Sequence, residues 1–234
     1  KRQGRATWFL CHYSWPPVFA FACLLRLRGD RVYTMGCSKF DDMPRKPFRE
    51  WLKSWFLKPY QGAIGSGMRT RDYFRFLGIP EGRITGEYNT VSLDRIRRMS
   101  EGVPAPGGVP FEARHFTIVA RLVPKKNLFT ALEAYAIYAA TDPAPRPLHL
   151  CGSGPLEPEL RARAEALGIA DHVVFHGFIQ TDAIARLLAS TLALVLTSME
   201  EQFGNVVIEA QAMGLPVILS DVCGARDSLS LIHI

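Results

Sequence analysis

Two carboxylates frame the most informative stretch of this 234-residue chain. Glu201 follows an apolar run at 192–196 and two hydroxyl residues, Thr197 and Ser198; eight positions later Glu209 is the single charge between Val206 and Met213. The run reads as a buried strand. Residues 206–213, closed by Gly214, read as a helix with Asn205 as its cap. That helix is apolar on nearly every side and therefore mostly buried, and a buried carboxylate is costly unless a partner satisfies it. Glu201 stands just ahead of the helix start, where free backbone N–H groups and the positive dipole end favour an anion. Strand, carboxylate-bearing turn and helix N-terminus together predict a site for a phosphorylated ligand that also carries hydroxyls. A lone glutamate on a helix is equally the mark of an ordinary salt-bridged side chain, so the surrounding elements must decide.

Those elements alternate regularly. Strands are predicted at 116–120, 148–151, 173–176, 193–196 and 216–220, with helices at 128–140, 157–167, 182–189 and 206–213 between them. Such alternation predicts a doubly wound parallel sheet, whose ligands bind beyond the carboxyl ends of the strands. The loops at those ends hold Arg121 and Lys126; Gly152 and Gly154; Gly177 and Phe178; and Glu201, Phe203, Gly204 and Asn205. Each group comes from a different strand end, so all can converge on one ligand.

The first half is less regular. A strand at 6–11, a helix at 18–27 after the break at Trp15-Pro-Pro, and a strand at 31–35 suggest one parallel α/β unit. Residues 44–60 form the most amphipathic segment, with Phe48, Trp51, Leu52, Trp55 and Phe56 at helical spacing among Arg45, Lys46, Arg49, Lys53 and Lys58. Two readings stand: the aromatic stripe packs on the domain's own sheet, or it lies in a membrane interface. The glycine-rich 61–67 reads as a tight turn or a weak phosphate loop before a helix at 70–77, and 83–88 as a short strand. Three prolines and three glycines in 99–110 read as a linker, dividing the chain into 1–108 and 109–234.

Charge divides the same way: 19 Lys/Arg against 9 Asp/Glu in 1–108 (net +10), and 9 against 13 in 109–234 (net −4). A basic half suits an anionic partner, although its Gly-rich loops and aromatics match no nucleic-acid module. Five scattered cysteines without a CxxC argue for a reducing compartment and against a disulfide framework or zinc site. No apolar run is long enough to span a bilayer.

The motifs ARLVPKKNL at 120–128, LCGSGP at 150–155, VVFHGF at 173–178 and TSMEEQFGNVVIEAQAMGLPVILSD at 197–221 resemble a retaining glycosyltransferase of the GT-B fold, of the family 4 type. Glu201 and Glu209 reproduce that family's E-x7-E spacing. Residues 62–84 resemble, more weakly, the end of the family's acceptor-side N-terminal domain. The resemblance implies two Rossmann-like doubly wound domains, both incomplete here, with 1–108 the end of the acceptor-side domain and 109–234 a truncated donor domain. It implies a nucleotide-diphosphate sugar as co-substrate, no cofactor and no metal. Arg121 and Lys126 would hold the diphosphate, Glu201 the sugar hydroxyls and Glu209 the ribose. Gly204 and Asn205, beside Phe203, would offer backbone N–H groups. Gly177 and Phe178 would face the base, and Gly152 and Gly154 would allow close approach. A cytoplasmic enzyme is implied, with peripheral membrane contact through 45–60 left open and a glycan or lipid-linked acceptor.

The sequence also departs from the family. The place of its acceptor-side histidine is taken by Gly36-Cys-Ser-Lys39; His12 is a poor substitute, Lys39, Asp41 and Asp42 are alternatives, and no general base is assigned. Residues 228–234 do not resemble the family's continuation, which suggests a fragment with a foreign tail. Another GT-B enzyme (an epimerase or phosphorylase) and a non-catalytic nucleotide-sugar or membrane-binding module remain the rival readings.

Overall fold

A computed structural model of the chain describes residues 5–86, 89–100 and 109–228. It divides into two compact units, 1–89 with 224–234, and 90–223. The expected linker at 99–110 lies mostly outside the described residues, as do the end of the strand expected at 83–88 and most of the tail at 228–234.

The first unit contains β1 (Thr7–Cys11), α1 (Pro16–Leu27), β2 (Arg31–Gly36), α2 (Pro47–Phe56), β3 (Gly62–Gly65), α3 (Met68–Phe76) and β4 (Ile84–Thr85). The strands form one parallel sheet in the order β1-β2-β3-β4. Its core gathers Ala22, Leu25, Val32, Tyr73, Phe74 and Leu77. Asp30 pins the start of β1: its carboxylate accepts hydrogen bonds from the Ala6 backbone N–H and the Trp8 indole, each 3.0 Å, and pairs with Arg28. Those donors hold it below the usual carboxylate range, the Ala6 N–H contributing most.

Three local expectations are corrected here. Pro16 opens α1 rather than preceding it, because proline's fixed φ suits the first helical position and its missing N–H costs nothing there. The glycine-rich segment is itself a strand, β3: at Gly62 a Cβ would stand 2.4 Å from the Arg83 carbonyl oxygen and 3.1 Å from the Tyr33 ring, so only glycine fits. Of the stripe of α2, Phe56 is half-buried against the core, but the rest does not pack there. The helix buries Glu50 instead and turns Phe48, Trp51, Leu52 and Trp55 outward.

The second unit opens with α4 (Leu93–Met99), a helix not anticipated from sequence, capped by the Ser92 hydroxyl, which accepts from Arg95 N–H at 3.3 Å. Then come β5 (His115–Val119), α5 (Leu128–Thr141), β6 (Leu148–Cys151), α6 (Glu157–Ala166), β7 (Val173–Gly177), α7 (Thr181–Leu188), β8 (Thr191–Leu196), α8 (Asn205–Ala212) and β9 (Val217–Leu219). α4 packs on α7 and α8, and Arg97 donates to the Ala212 carbonyl at 3.1 Å. All five strands are parallel, in the order β7-β6-β5-β8-β9. The chain runs outward from β5 to β7, then returns to the other side of β5 with β8. A doubly wound sheet with its switch point between β5 and β8 results, and sheets of this kind bind ligands beyond the carboxyl ends of the strands at that point.

Three histidines stack across this sheet. His115 and His149 lie face to face with ring centroids 3.8 Å apart, and His176 Nε2 is 3.0 Å from His149 Nδ1. Burial first, and then the neighbouring rings, push His115 and His149 down from 6.5 to about 4. The folded state therefore resists protonation that the unfolded chain accepts, and its stability falls as the pH drops from 6.5 through 4. For His115 alone the loss is roughly 3 kcal/mol. Urea midpoints measured across that range should fall, and His149→Gln should flatten the dependence.

Candidate functional site

The loops leaving β5 and β8 are stitched together at the switch point. Thr197, directly after β8, donates its hydroxyl to the carbonyls of Lys126 (3.0 Å) and Asn127 (3.1 Å). The Met199 N–H donates to the Lys125 carbonyl at 2.8 Å. Those bonds fix a short 3-10 turn, Pro124–Lys126, that ends on Asn127 in the left-handed region at φ 52°. The turn aims Lys126 at Glu201, and the two side chains form a close ion pair that is mostly shielded from solvent. The Ser198 hydroxyl, fully buried, lies 3.4 Å from the same Glu201 oxygen. Glu201 is further tied by a parallel β-bridge to Cys223, and the Ser220 hydroxyl donates to the Ser198 carbonyl at 2.5 Å.

Beyond Glu201, Phe203 is buried and Gly204 adopts φ 95° as the cap residue of α8. The cap is thus Gly204, not Asn205: the chain must enter the helix through a left-handed conformation that glycine alone adopts freely. Asn205 is the first helical residue and is exposed. The opening N–H groups of such a helix lack intrahelical partners and point out of its N-terminus.

Glu209, one turn further along, is half-buried, and no described residue hydrogen-bonds its carboxylate. Burial raises its pKa above 4.5. Arg121 is exposed after β5 and forms no ion pair among the described residues. The structure therefore joins Lys126 to Glu201 directly, and leaves Arg121 and Glu209 with unused charge.

The loops after β5, β6 and β7 pack backbone against backbone. Leu122 N–H donates to the Ser153 carbonyl at 3.0 Å, and Gly152 N–H to the Gly177 carbonyl at 2.7 Å. A Cβ at Gly152 would meet the Ala120 carbonyl oxygen at 1.9 Å, and one at Gly154 the Leu122 carbonyl oxygen at 2.3 Å. Between these loops lies a pocket of about 330 Å³, lined by Ala120, Arg121, Gly152, Ser153, Phe178 and Ile184 among others. Phe178 stands at its rim, 70% exposed. Sequence reading missed Ser153, Ile179 and Ile184 as lining residues, and Thr197 and Ser198 as the stitching hydroxyls. Only the last two carried a signal, being hydroxyl residues at the end of an apolar strand.

In the first unit, Lys39, Asp41 and Asp42 are engaged internally. Lys39 is fully buried with its ammonium 2.8 Å from Asp41, which also pairs with Arg69 at 2.7 Å. Asp42 accepts from the Lys39 backbone N–H and pairs with Arg45. His12, exposed, follows β1 in the left-handed region at φ 59°. Among the described residues no group of three His, Cys, Asp or Glu side chains is placed to hold a metal ion. No described helix is long and apolar enough to cross a membrane.

Two Rossmann-like parallel-sheet units define the GT-B class of fold. The structure superposes on the lipopolysaccharide outer core galactosyltransferase WaaB with a TM-score of 0.69 at 21% identity, covering 90% of this chain and 57% of that one. For HepE of Anabaena, solved with UDP, the TM-score is 0.70 at 17% identity, covering 91% and 59%. Residues 105–230 match the model of the glycosyl transferases group 1 family, and the chain belongs to that family. It is 33% identical over 152 residues to the D-inositol 3-phosphate glycosyltransferase of Acidothermus cellulolyticus, covering 56% of this chain and 34% of that protein. It is 33% identical over 165 residues to D-inositol 3-phosphate glycosyltransferase 2 of Catenulispora acidiphila, covering 67% and 39%. The chain thus spans little more than a third of the length of these curated relatives.

Proposed function

We propose that the second unit binds a nucleotide-diphosphate sugar at the β5–β8 crevice. The protein it belongs to would transfer that sugar, with retention and without a metal, to a glycan or lipid-linked acceptor, as an enzyme of the family 4 type. The Lys126–Glu201 pair at the switch point carries this reading, since it sets a cation for phosphate beside a carboxylate for hydroxyls. In the bound state Arg121 and Lys126 face the diphosphate, with the opening N–H groups of α8 beside them. Glu201 accepts from the sugar hydroxyls and Glu209 from the ribose diol. The base lies in the pocket under Phe178, against the backbone of Gly177. As the anomeric C–O bond breaks, charge gathers on the leaving diphosphate, and fixed cations and N–H dipoles stabilise it where it develops.

Calorimetric titration with UDP, GDP and ADP tests the donor site. One of the three should bind in the presence of EDTA. Arg121→Ala should weaken it by roughly 10- to 100-fold, the worth of a charge-assisted hydrogen bond. A folded chain that binds none of them overturns the reading.

A further inference from the structure

The outward face of α2 belongs to neither the core nor the crevice, and we propose that it docks the first unit on an anionic lipid surface. Phe48, Trp51, Leu52 and Trp55 are 71%, 56%, 42% and 48% exposed. They form one continuous stripe: Trp51 has its ring centroid 5.8 Å from those of both Phe48 and Trp55. Phe19 of α1 and Phe56 extend the stripe into a shallow groove of about 350 Å³.

The polar face holds the helix in this orientation. Glu50 is buried, accepting from the Tyr73 hydroxyl at 2.5 Å and from Lys53 at 2.9 Å, and Arg45 donates to the same hydroxyl at 2.9 Å. Turning the stripe inward would strand that buried carboxylate. The helix is thus an amphipath mounted with its apolar side to solvent, and a water-exposed aromatic stripe gains by finding a cover.

Charge selects the cover. Glu50 is the only acidic residue between 45 and 60, and it points inward; the exposed charges there are Lys46, Arg49 and Lys58, all positive. The Lys58 ammonium sits 3.2 Å over the Trp55 ring. Protein interfaces are depleted in lysine at their cores, whereas tryptophan flanked by lysine and arginine suits the headgroup level of an anionic bilayer.

Vesicle co-sedimentation of the full chain tests this. It should bind phosphatidylcholine vesicles doped with phosphatidylglycerol, release with rising salt, and bind pure phosphatidylcholine weakly. The double variant Trp51→Ser, Trp55→Ser, whose side chains lie outside the core, should fold normally by circular dichroism yet lose about tenfold or more in partitioning. Lys46→Gln, Arg49→Gln and Lys58→Gln should each lose about fivefold. Three results overturn the proposal: no binding by the folded chain, equal binding by the double variant, or a dimer that this variant dissolves while vesicles are ignored. Vesicle binding needs no nucleotide, so its failure leaves the donor site untouched.

Discussion

Glu209→Gln is expected to weaken nucleotide binding and strengthen the fold at the same time. The carboxylate is half-buried and burial has raised its pKa, while no described residue donates to it. At neutral pH its charge is held against the preference of its surroundings. The folded state takes up a proton more readily than the unfolded chain, so this group's contribution is favourable below 4.5 and is lost as pH rises through the raised value. Glutamine keeps the shape and removes the charge, so the variant should melt higher at pH 7 and the gain should vanish in acid. The histidine stack changes stability with the opposite sign on acidification, but it is common to both proteins and cancels in their difference. Binding moves the other way. An ionised carboxylate accepts from both hydroxyls of a ribose, and losing one charge-assisted bond costs about 2 kcal/mol, or about 30-fold in affinity. Thermal melts at pH 7 and pH 4 beside a nucleotide titration check both halves. A variant that binds as tightly as the wild type removes Glu209 from the site.

Gly152→Ala and Gly154→Ala should be the most damaging single-methyl substitutions in the second unit. The added carbons would lie 1.9 Å and 2.3 Å from main-chain carbonyl oxygens of the loop after β5, and backbone cannot swing aside as a side chain can. Gly152 also has φ 137°, where a side chain is strained on its own account. A loss of about 3–5 kcal/mol is expected for each, read as a lower midpoint in urea. If either variant folds, the loop carrying Arg121 and Lys126 must have moved, and nucleotide affinity should fall with it.

The strands of the second unit were plain in the sequence because a buried parallel strand is mostly apolar, as at 192–196 of β8, and in β6, where His149 alone interrupts the apolar residues. β3 was hidden because two of its four residues are glycine, and the demand for glycine comes from Arg83 and Tyr33, distant along the chain. α2 shows the limit of periodicity: the pattern fixes that a stripe exists but not which way it points. Its direction was decided by Tyr73, Arg45 and Glu50, whose meeting no local window contains. At the site, residue types and spacing marked Glu201, Glu209, Arg121 and Lys126. They could not show that Lys126 and Glu201 pair with one another, which depends on the Thr197 hydroxyl drawing two loops together.

That pairing bears on turnover. Lys126 and Glu201 answer each other's charge across the loops that leave β5 and β8, so neither of these two shielded groups stands without a counter-charge. On the proposed reading a complete donor separates them, giving phosphate to Lys126 and sugar hydroxyls to Glu201. The nucleoside diphosphate left after transfer has only half of that exchange to offer. On that reading Glu201, deprived of its hydroxyls, would compete for Lys126, and the spent nucleotide would be loosened by the same contact that tells it from a fresh donor.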